Sequence, residues 1–299
     1  MHLRSCAAPP GPFVRRECGL PKRLLGALTY QPVSDPRSAL DLSGTVALVT
    51  GGVRGIGLGI TRMFLGAGAD VVVCARHEPE SLPTVDGRSA VFFPADVRDP
   101  EAAAGLVAQA VERFGRLDTV VNNAGGGPSR PAATASASFS QKVLDLNLMS
   151  ALHVAQAGNA VMQEQESGGS IIMIGSVSGW RPSPGAAAYA ASKAGLHHLA
   201  TTLAVEWAPK VRVNTIIAGL IATEQVSDHY GGDAGIAAVS ATIPMGRMGT
   251  PDDIGGAALF LASPLASYVS GSQLLVHGGG EWPAYISAVS SIQPSGGTS

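Results

Sequence analysis

Val46-Ala47-Leu48-Val49-Thr50-Gly51-Gly52-Val53-Arg54-Gly55-Ile56-Gly57 is the stretch that decides the fold. Its first four residues form an unbroken apolar run, as a strand buried on both faces requires. Glycines follow at 51, 55 and 57, and a helical pattern then runs over about 56–67. Glycine has no Cβ, so such a loop lets main-chain N–H groups approach a bound group closely, and the helix start behind it favours negative charge. Strand, glycine loop and helix together make a pyrophosphate cradle. The contacts it predicts are Gly51, Val53, Arg54, Gly55, Ile56 and Gly57. Methyltransferases share such a loop, so it does not by itself fix a reaction.

The alternation continues on both sides of this unit. Apolar runs at 70–74, 90–93, 118–122, 170–174, 211–216 and 273–276 read as strands, and 100–114, 136–165, 186–207 and 251–262 read as helices. Val/Ile-rich strands without polar alternation, interleaved with helices, predict an α/β fold: a doubly wound parallel sheet of about seven strands, Rossmann-like, with helices on both faces. Ligands of such sheets bind at the carboxyl ends of the strands, where the strand order reverses. Residues 43–282 read as one domain. Within it, 222–250 has weak periodicity and a Gly231-Gly232 break, and reads as a mobile flap over substrate with one short helix.

Composition narrows the classes. Hydrophobic residues make up 45% and charged residues 14%, which excludes global disorder. A net charge of −2 leaves no nucleic-acid footprint. No apolar run is long enough for a membrane span. Cys6, Cys18 and Cys74 form neither a disulfide framework nor a metal-ligand pattern, so the reading is a reducing compartment, cytoplasmic, with no metal. Residues 1–40 carry six basic and two acidic residues, a net of +4, which leaves −6 for the remainder. The Pro/Arg-rich segment 1–42 therefore reads as a basic disordered extension, organelle import being the minor alternative. The segment 283–299 reads as a flexible tail.

The cofactor type is read where the second strand ends. An NAD-binding sheet usually places an acidic residue there for the ribose 2′-hydroxyl. Here Ala75, Arg76 and His77 follow, with Arg54 in the glycine loop. Guanidinium groups at that corner attract a 2′-phosphate, so NADP(H) is favoured over NAD(H). Asp96 and Val97, after the third strand, are expected at the adenine.

Ser176 closes the fifth strand, and Tyr189-Ala190-Ala191-Ser192-Lys193 follows thirteen residues later. On a helix, positions four apart share a face. A free phenol titrates near 10, too high for efficient proton exchange at neutral pH. A cation about 5 Å away is worth roughly 3 kcal/mol at an effective dielectric of about 20, or about 2–2.5 pKa units. Lys193 is thus expected to acidify Tyr189, and Ser176 to hold the substrate oxygen beside it. Ser178 is a second candidate hydroxyl with poorer spacing. His153, His197 and His198 are expected to be packed or surface residues.

Together, Thr50–Gly57, Asn122-Asn123-Ala124-Gly125, Asn147, Ser176, Tyr189 and Lys193 resemble the short-chain dehydrogenase/reductase family over about residues 43–282. The resemblance implies hydride transfer between a nicotinamide and a carbonyl or secondary alcohol. It implies that Asn122, Asn123, Ala124 and Gly125 steady the sheet and line the nicotinamide-ribose side, and that Tyr189 and Lys193 also touch the cofactor. Asn147 would hold a water linking Lys193 to solvent. Gly219 and Thr223 would flank the nicotinamide, although Ala218 stands where the family usually has proline, which should loosen that loop. His277 stands where Asp is typical, which bears on a local turn or subunit contact. Relatives assemble as homodimers or homotetramers through the two long helices. Leu220, Ile221, Val226, Ile243 and Met245 suggest an apolar carbonyl or alcohol substrate, a 3-oxoacyl thioester among them. A non-catalytic NADP-binding partner protein, or a lyase or epimerase on the same scaffold, remains open at this point.

Overall fold

The structure is a computed structural model that describes residues 38–224 and 230–286. The expected extension up to residue 37, Val226 of the flap and the tail from residue 287 lie outside the described residues. The strand–loop–helix unit is realised as β1 (Val46–Thr50) and α1 (Gly55–Gly66). All five residues of β1 are buried, and their side chains alternate between two cores: Val46 and Leu48 enter one, Ala47 and Val49 the other. Burial on both faces is the reason the run contains no charged residue.

In chain order the remaining strands are β2 (Asp70–Ala75), β3 (Thr84–Val85), β4 (Arg88–Ser89), β5 (Val91–Pro94), β6 (Thr119–Asn122), β7 (Gly169–Ser176), β8 (Val211–Ala218) and β9 (Gln273–Val276). Seven of them form one parallel sheet in the order β5-β2-β1-β6-β7-β8-β9, while β3 and β4 make a separate hairpin. The chain winds outward from β1 through β2 to β5, then returns to build the other half from β6. The order therefore reverses between β1 and β6, which opens a crevice beyond the carboxyl ends of these two strands.

Helices α2 (Pro100–Phe114), α3 (Ala137–Leu144), α4 (Ser150–Glu164), α5 (Ala187–Glu206), α6 (Asp233–Ala241) and α7 (Pro251–Ala262) are the remaining α-helices among the described residues. One core joins the sheet to α2, α4 and α5 through Leu106, Val107, Val154, Leu196 and Ala200. The other joins it to α1 and α7 through Ile60, Phe64, Ile254, Ala258 and Leu261. Proline opens both α2 and α7; behind it Asp99 caps the Glu101 N–H, and Thr250 with Asp253 forms a capping box.

Three features go beyond the expectations. The helix expected over 136–165 is interrupted by a π-helical turn at Asp145–Met149, a feature that hydrophobic periodicity does not reveal. Residues ahead of 43 pack against the sheet domain: Ala39 and Leu42 are buried, and the Leu42 N–H donates to the Ala67 carbonyl at 2.7 Å. The β3–β4 hairpin was not anticipated, though its Asp86-Gly87 turn, with both residues at positive φ, is a hairpin signal.

Candidate active site

The glycine loop between β1 and α1 is held from behind. The Thr50 hydroxyl accepts from the Asn123 and Ala124 N–H groups at 3.0 and 2.9 Å. The Asn123 amide donates in return to the Thr50 carbonyl at 2.8 Å. The loop after β6 is thereby locked to the loop after β1, with Thr50, which had been given no role, at the junction. Gly51 and Gly55 have φ of +65° and +52°, a region open chiefly to glycine. A Cβ on Gly57 would stand 2.2 Å from the Gly51 carbonyl oxygen. The Val53 and Ile56 side chains pack against the core and stay partly exposed.

The first helical bond of α1 runs from the Leu58 N–H to the Arg54 carbonyl, which leaves the N–H groups of Gly55, Ile56 and Gly57 without helical partners. One of them carries an anion already: the Glu224 carboxylate accepts from the Gly55 N–H, at 3.1 Å to one oxygen and 3.3 Å to the other. Thr223 lies alongside, its methyl group 3.4 Å from where a Gly55 Cβ would be. A loop without Cβ atoms, with N–H groups that bind a carboxylate, fits a pyrophosphate.

β2 ends at Ala75, so Arg76 and His77 fall at its carboxyl edge, and Arg54 at the α1 N-cap is exposed. Asp96 is bound by Arg98 through Nε at 2.9 Å, with Arg76 near enough to act on it; these guanidinium groups hold its carboxyl below the usual range. An adenine contact by the Asp96 carboxylate would thus compete with an ion pair. The Val97 side chain is buried in the core and offers a ligand only its main chain.

On the opposite side, Ser176 ends β7 while Tyr189 and Lys193 lie one turn apart on α5. Lys193 is 4% exposed, and its ammonium donates to the Ile174 carbonyl at 2.8 Å. It lies 5.7 Å from the centre of the Tyr189 ring. Asn147 sits in the π-helical turn; its amide donates to the Gly126 and Val143 carbonyls, and its oxygen accepts from the Gly126 N–H at 2.7 Å. Asn147 and Lys193 converge on Gly125: a Cβ there would be 2.7 Å from the Asn147 oxygen and 3.4 Å from the Lys193 nitrogen. Ser176, Tyr189, Lys193 and Asn147, distant in sequence, are thus gathered around the ends of β6 and β7.

The electrostatics reverse one expectation. The Tyr189 phenol is pushed above its ordinary value by burial, and the Ser176 hydroxyl beside it offsets only part of that rise. Lys193 itself is pulled down to about 8 by burial. Desolvation disfavours the charged form of both groups, and spacing along a helix carries no information about it. The Ser176 oxygen also accepts from the Ser178 N–H at 3.1 Å, which makes Ser178 a support of Ser176.

Ala218 is paired on both sides within the sheet, and the Gly219 N–H continues the ladder to the Val276 carbonyl at 2.9 Å. The strand pairing thus runs on to Gly219 without a proline at 218. A cavity of about 240 Å³ opens next to Gly219, lined by Val177, Trp180, Leu220, Ile243 and His277, with Arg181 and Glu281 paired at 2.5 Å. His277 therefore faces a cavity, a role beyond the turn expected of it. Met245 is largely exposed and Ile221 bridges to Gly249, so neither lines it. A hollow of about 70 Å³ adjoins Tyr189, Phe139 and Val143. Sequence reasoning missed Trp180, Arg181, Glu224 and Glu281, which meet the site only through tertiary folding. His198 is exposed on α5, as expected, whereas the buried His197 bonds to the Ser176 N–H at 3.3 Å.

A parallel sheet with a dinucleotide loop at its reversal point, facing a buried Tyr-Lys turn, defines a nucleotide-dependent oxidoreductase architecture. The chain belongs to the short-chain dehydrogenase/reductase family: residues 51–281 match the family model described as enoyl-(acyl carrier protein) reductase. It is similar to L-rhamnose 1-dehydrogenase (NAD(P)(+)) of Sphingomonas sp. (strain SKA58), with 34% identity over 80% of this chain and 96% of the relative. It is also similar to 3beta-hydroxysteroid dehydrogenase 1 of Eggerthella lenta, with 36% identity over 80% of this chain and 94% of that one. A crystal structure of a short-chain type dehydrogenase/reductase from Mycobacterium marinum superposes with a TM-score of 0.76 at 33% identity, covering 83% of this chain and 99% of that one. The protein is an oxidoreductase of alcohol or carbonyl groups, with NAD(H) or NADP(H) as the cofactor class. Among the described residues no helix is long and apolar enough to cross a membrane.

Proposed function

We propose that the chain is an NADP(H)-dependent reductase and dehydrogenase of a ketone or secondary alcohol carried on an apolar ring or chain. The observation that carries this reading is the gathering of Ser176, Tyr189, Lys193 and Asn147 at the crevice, Lys193 and Asn147 meeting at Gly125. The main chain of Gly51, Val53, Arg54, Gly55, Ile56 and Gly57 would hold the pyrophosphate. Arg76 and Arg54 would take the 2′-phosphate, Asp96 and Val97 would border the adenine, and Asn123, Ala124, Gly125, Gly219 and Thr223 the nicotinamide side, where Tyr189 and Lys193 also touch. When bound, the dinucleotide donates or accepts the hydride.

Ser176 then donates a hydrogen bond to the carbonyl oxygen, and Tyr189 delivers its hydroxyl proton to that oxygen as the carbon is reduced. Burial keeps the phenol protonated at neutral pH, so the resting site is set for reduction. Lys193, whose amine is eased toward proton exchange near pH 8, restores the proton, and Asn147 links it toward the loop after β6. The cavity beside Val177 and Leu220 takes the apolar body of the substrate, which agrees better with a sterol-like or acyl ketone than with a free sugar. A homodimer or homotetramer is the assembly expected for this family.

Tyr189→Phe tests the reading. Loss of a positioned proton donor is expected to lower kcat by about 10²–10⁴-fold, while the Kd for NADPH stays within twofold. Alcohol oxidation by the wild type should climb through the alkaline range, because only the phenolate accepts a proton and its pKa is raised. Reduction should stay flat across neutral pH. Full activity of Tyr189→Phe, in a panel of apolar ketones and alcohols followed at the reduced-nicotinamide absorbance, sinks the assignment.

A further inference from the structure

Ser176 is the last residue of β7, and its N–H is bonded to a side chain. It donates to Nε2 of His197 at 3.3 Å. His197 lies on α5 four residues beyond Lys193 and eight beyond Tyr189, so one helix face carries all three. The imidazole is gripped on several sides. A Cβ on Gly175 would come within 2.4 Å of Nε2 and within 2.8 Å of the Thr215 methyl, and a Cβ on Gly179 would lie 2.7 Å from Cε1. The two glycines that flank the turn carrying Ser176 are therefore fitted around this ring. His197 is 3% exposed, and a buried polar ring needs a partner. Its partner is the main chain of the proposed oxygen-binding residue.

We infer that His197 is a positioning residue: a neutral imidazole whose Nε2 accepts the Ser176 N–H and so sets where the Ser176 hydroxyl stands relative to Tyr189. The inference deepens the proposed reaction and rests on that reading of the site. Ser176 is thereby fixed from two directions, its N–H by His197 and its oxygen by the Ser178 N–H at 3.1 Å. An imidazole can accept at Nε2 only in the Nδ1–H form. Burial and the neighbouring Lys193 charge both favour the neutral ring, whose pKa falls to about 4. Any ring of similar size fills the space; only an acceptor at the Nε2 position holds the strand end.

The test compares His197→Leu, which keeps bulk and removes the acceptor, with His197→Gln, whose amide oxygen reaches a similar point. His197→Leu is expected to lose about tenfold in kcat for an apolar ketone, with the NADPH Kd within twofold of wild type, and His197→Gln to recover most of the loss. Equal kcat in the two variants, or wild-type kcat in His197→Leu, overturns the inference. Should the leucine variant not fold, the wild type decides by nitrogen-15 resonances, with His197 assigned by difference against His197→Gln. An unprotonated Nε2 and a protonated Nδ1 at pH 7 support the role, and an Nε2–H tautomer or an imidazolium overturns it. Tyr189→Phe run in parallel separates the failures. If it keeps activity, the reading of the whole site falls; if it is inactive while His197→Leu is unimpaired, only the role of His197 falls.

Discussion

The two banks of the crevice are made of different material. On the β1–β6 bank the working groups are main-chain N–H and C=O groups, shaped by missing Cβ atoms at Gly51 and Gly57 and clamped by Thr50 with Asn123. On the β7–β8 bank they are side chains, and their behaviour follows from burial: Tyr189 raised, Lys193 lowered to about 8. A bank built of main chain is intolerant of added atoms, whereas one built of side chains is intolerant of altered surroundings. Gly57→Ala attacks the first at its tightest point, since the new methyl group would stand 2.2 Å from the Gly51 oxygen and 2.5 Å from the Asn123 amide. Overpacking of this kind destabilises by about 1–3 kcal/mol and displaces the loop. The NADPH Kd is expected to rise at least about 100-fold in fluorescence titration, while the protein still melts cooperatively. Wild-type affinity would mean that the loop main chain is not the cradle.

A smaller effect is expected at the rim of that bank, where selectivity between the dinucleotides would be set. Arg76 is close enough to Asp96 to depress its carboxyl, and Arg98 already saturates that carboxyl. Arg76 is accordingly free to engage an incoming phosphate. A charge-assisted hydrogen bond contributes about 1.5–3 kcal/mol, so Arg76→Ala should weaken NADPH by about tenfold or more and leave NADH nearly unchanged. Parallel titrations with the two cofactors measure it; an equal loss for both removes the argument for NADP(H).

The same contrast explains what was legible in the chain. Main-chain features leave spacing in the sequence: the β1 run, the glycines, and the helix starts at Pro100 and Pro251 fall where the residues indicated. Asn147, Ser176, Tyr189 and Lys193, which the family pattern had put on one list, lie in one region of the structure. What spacing does not carry is the dielectric. The i, i+4 geometry of Tyr189 and Lys193 suggested an acidified phenol, whereas burial raises the phenol and the Ser176 hydroxyl offsets only part of that rise. Likewise His197 reads as a packed helix residue until Gly175 and Gly179 are seen closing on its ring. The π-helical turn at Asp145–Met149, where the Asn147 oxygen takes the Gly126 N–H, was also not read from the apolar pattern.

Glu224 is where the two banks meet, and it gives the smallest and most discriminating prediction. The segment after β8 crosses to the cofactor bank, so that Thr223 lies beside Gly55 where a Cβ would be and the Glu224 carboxylate takes the Gly55 N–H. An anion at a helix N-terminus is stabilised by about 0.3–1 kcal/mol when exposed, and a pyrophosphate would draw on the same N–H groups. Cofactor entry would then require that carboxylate to leave, so Glu224 competes with the ligand. Glu224→Gln keeps the size, removes the charge and should tighten NADPH by about two- to fivefold in Kd, which is that energy range expressed as affinity. A net −1 beside a highly anionic ligand also repels it through space, and salt screens that repulsion. The gain should therefore shrink as ionic strength rises. Weaker binding by Glu224→Gln would show instead that the carboxylate supports the dinucleotide, and that the substrate-side segment helps build the cradle it was taken to obstruct.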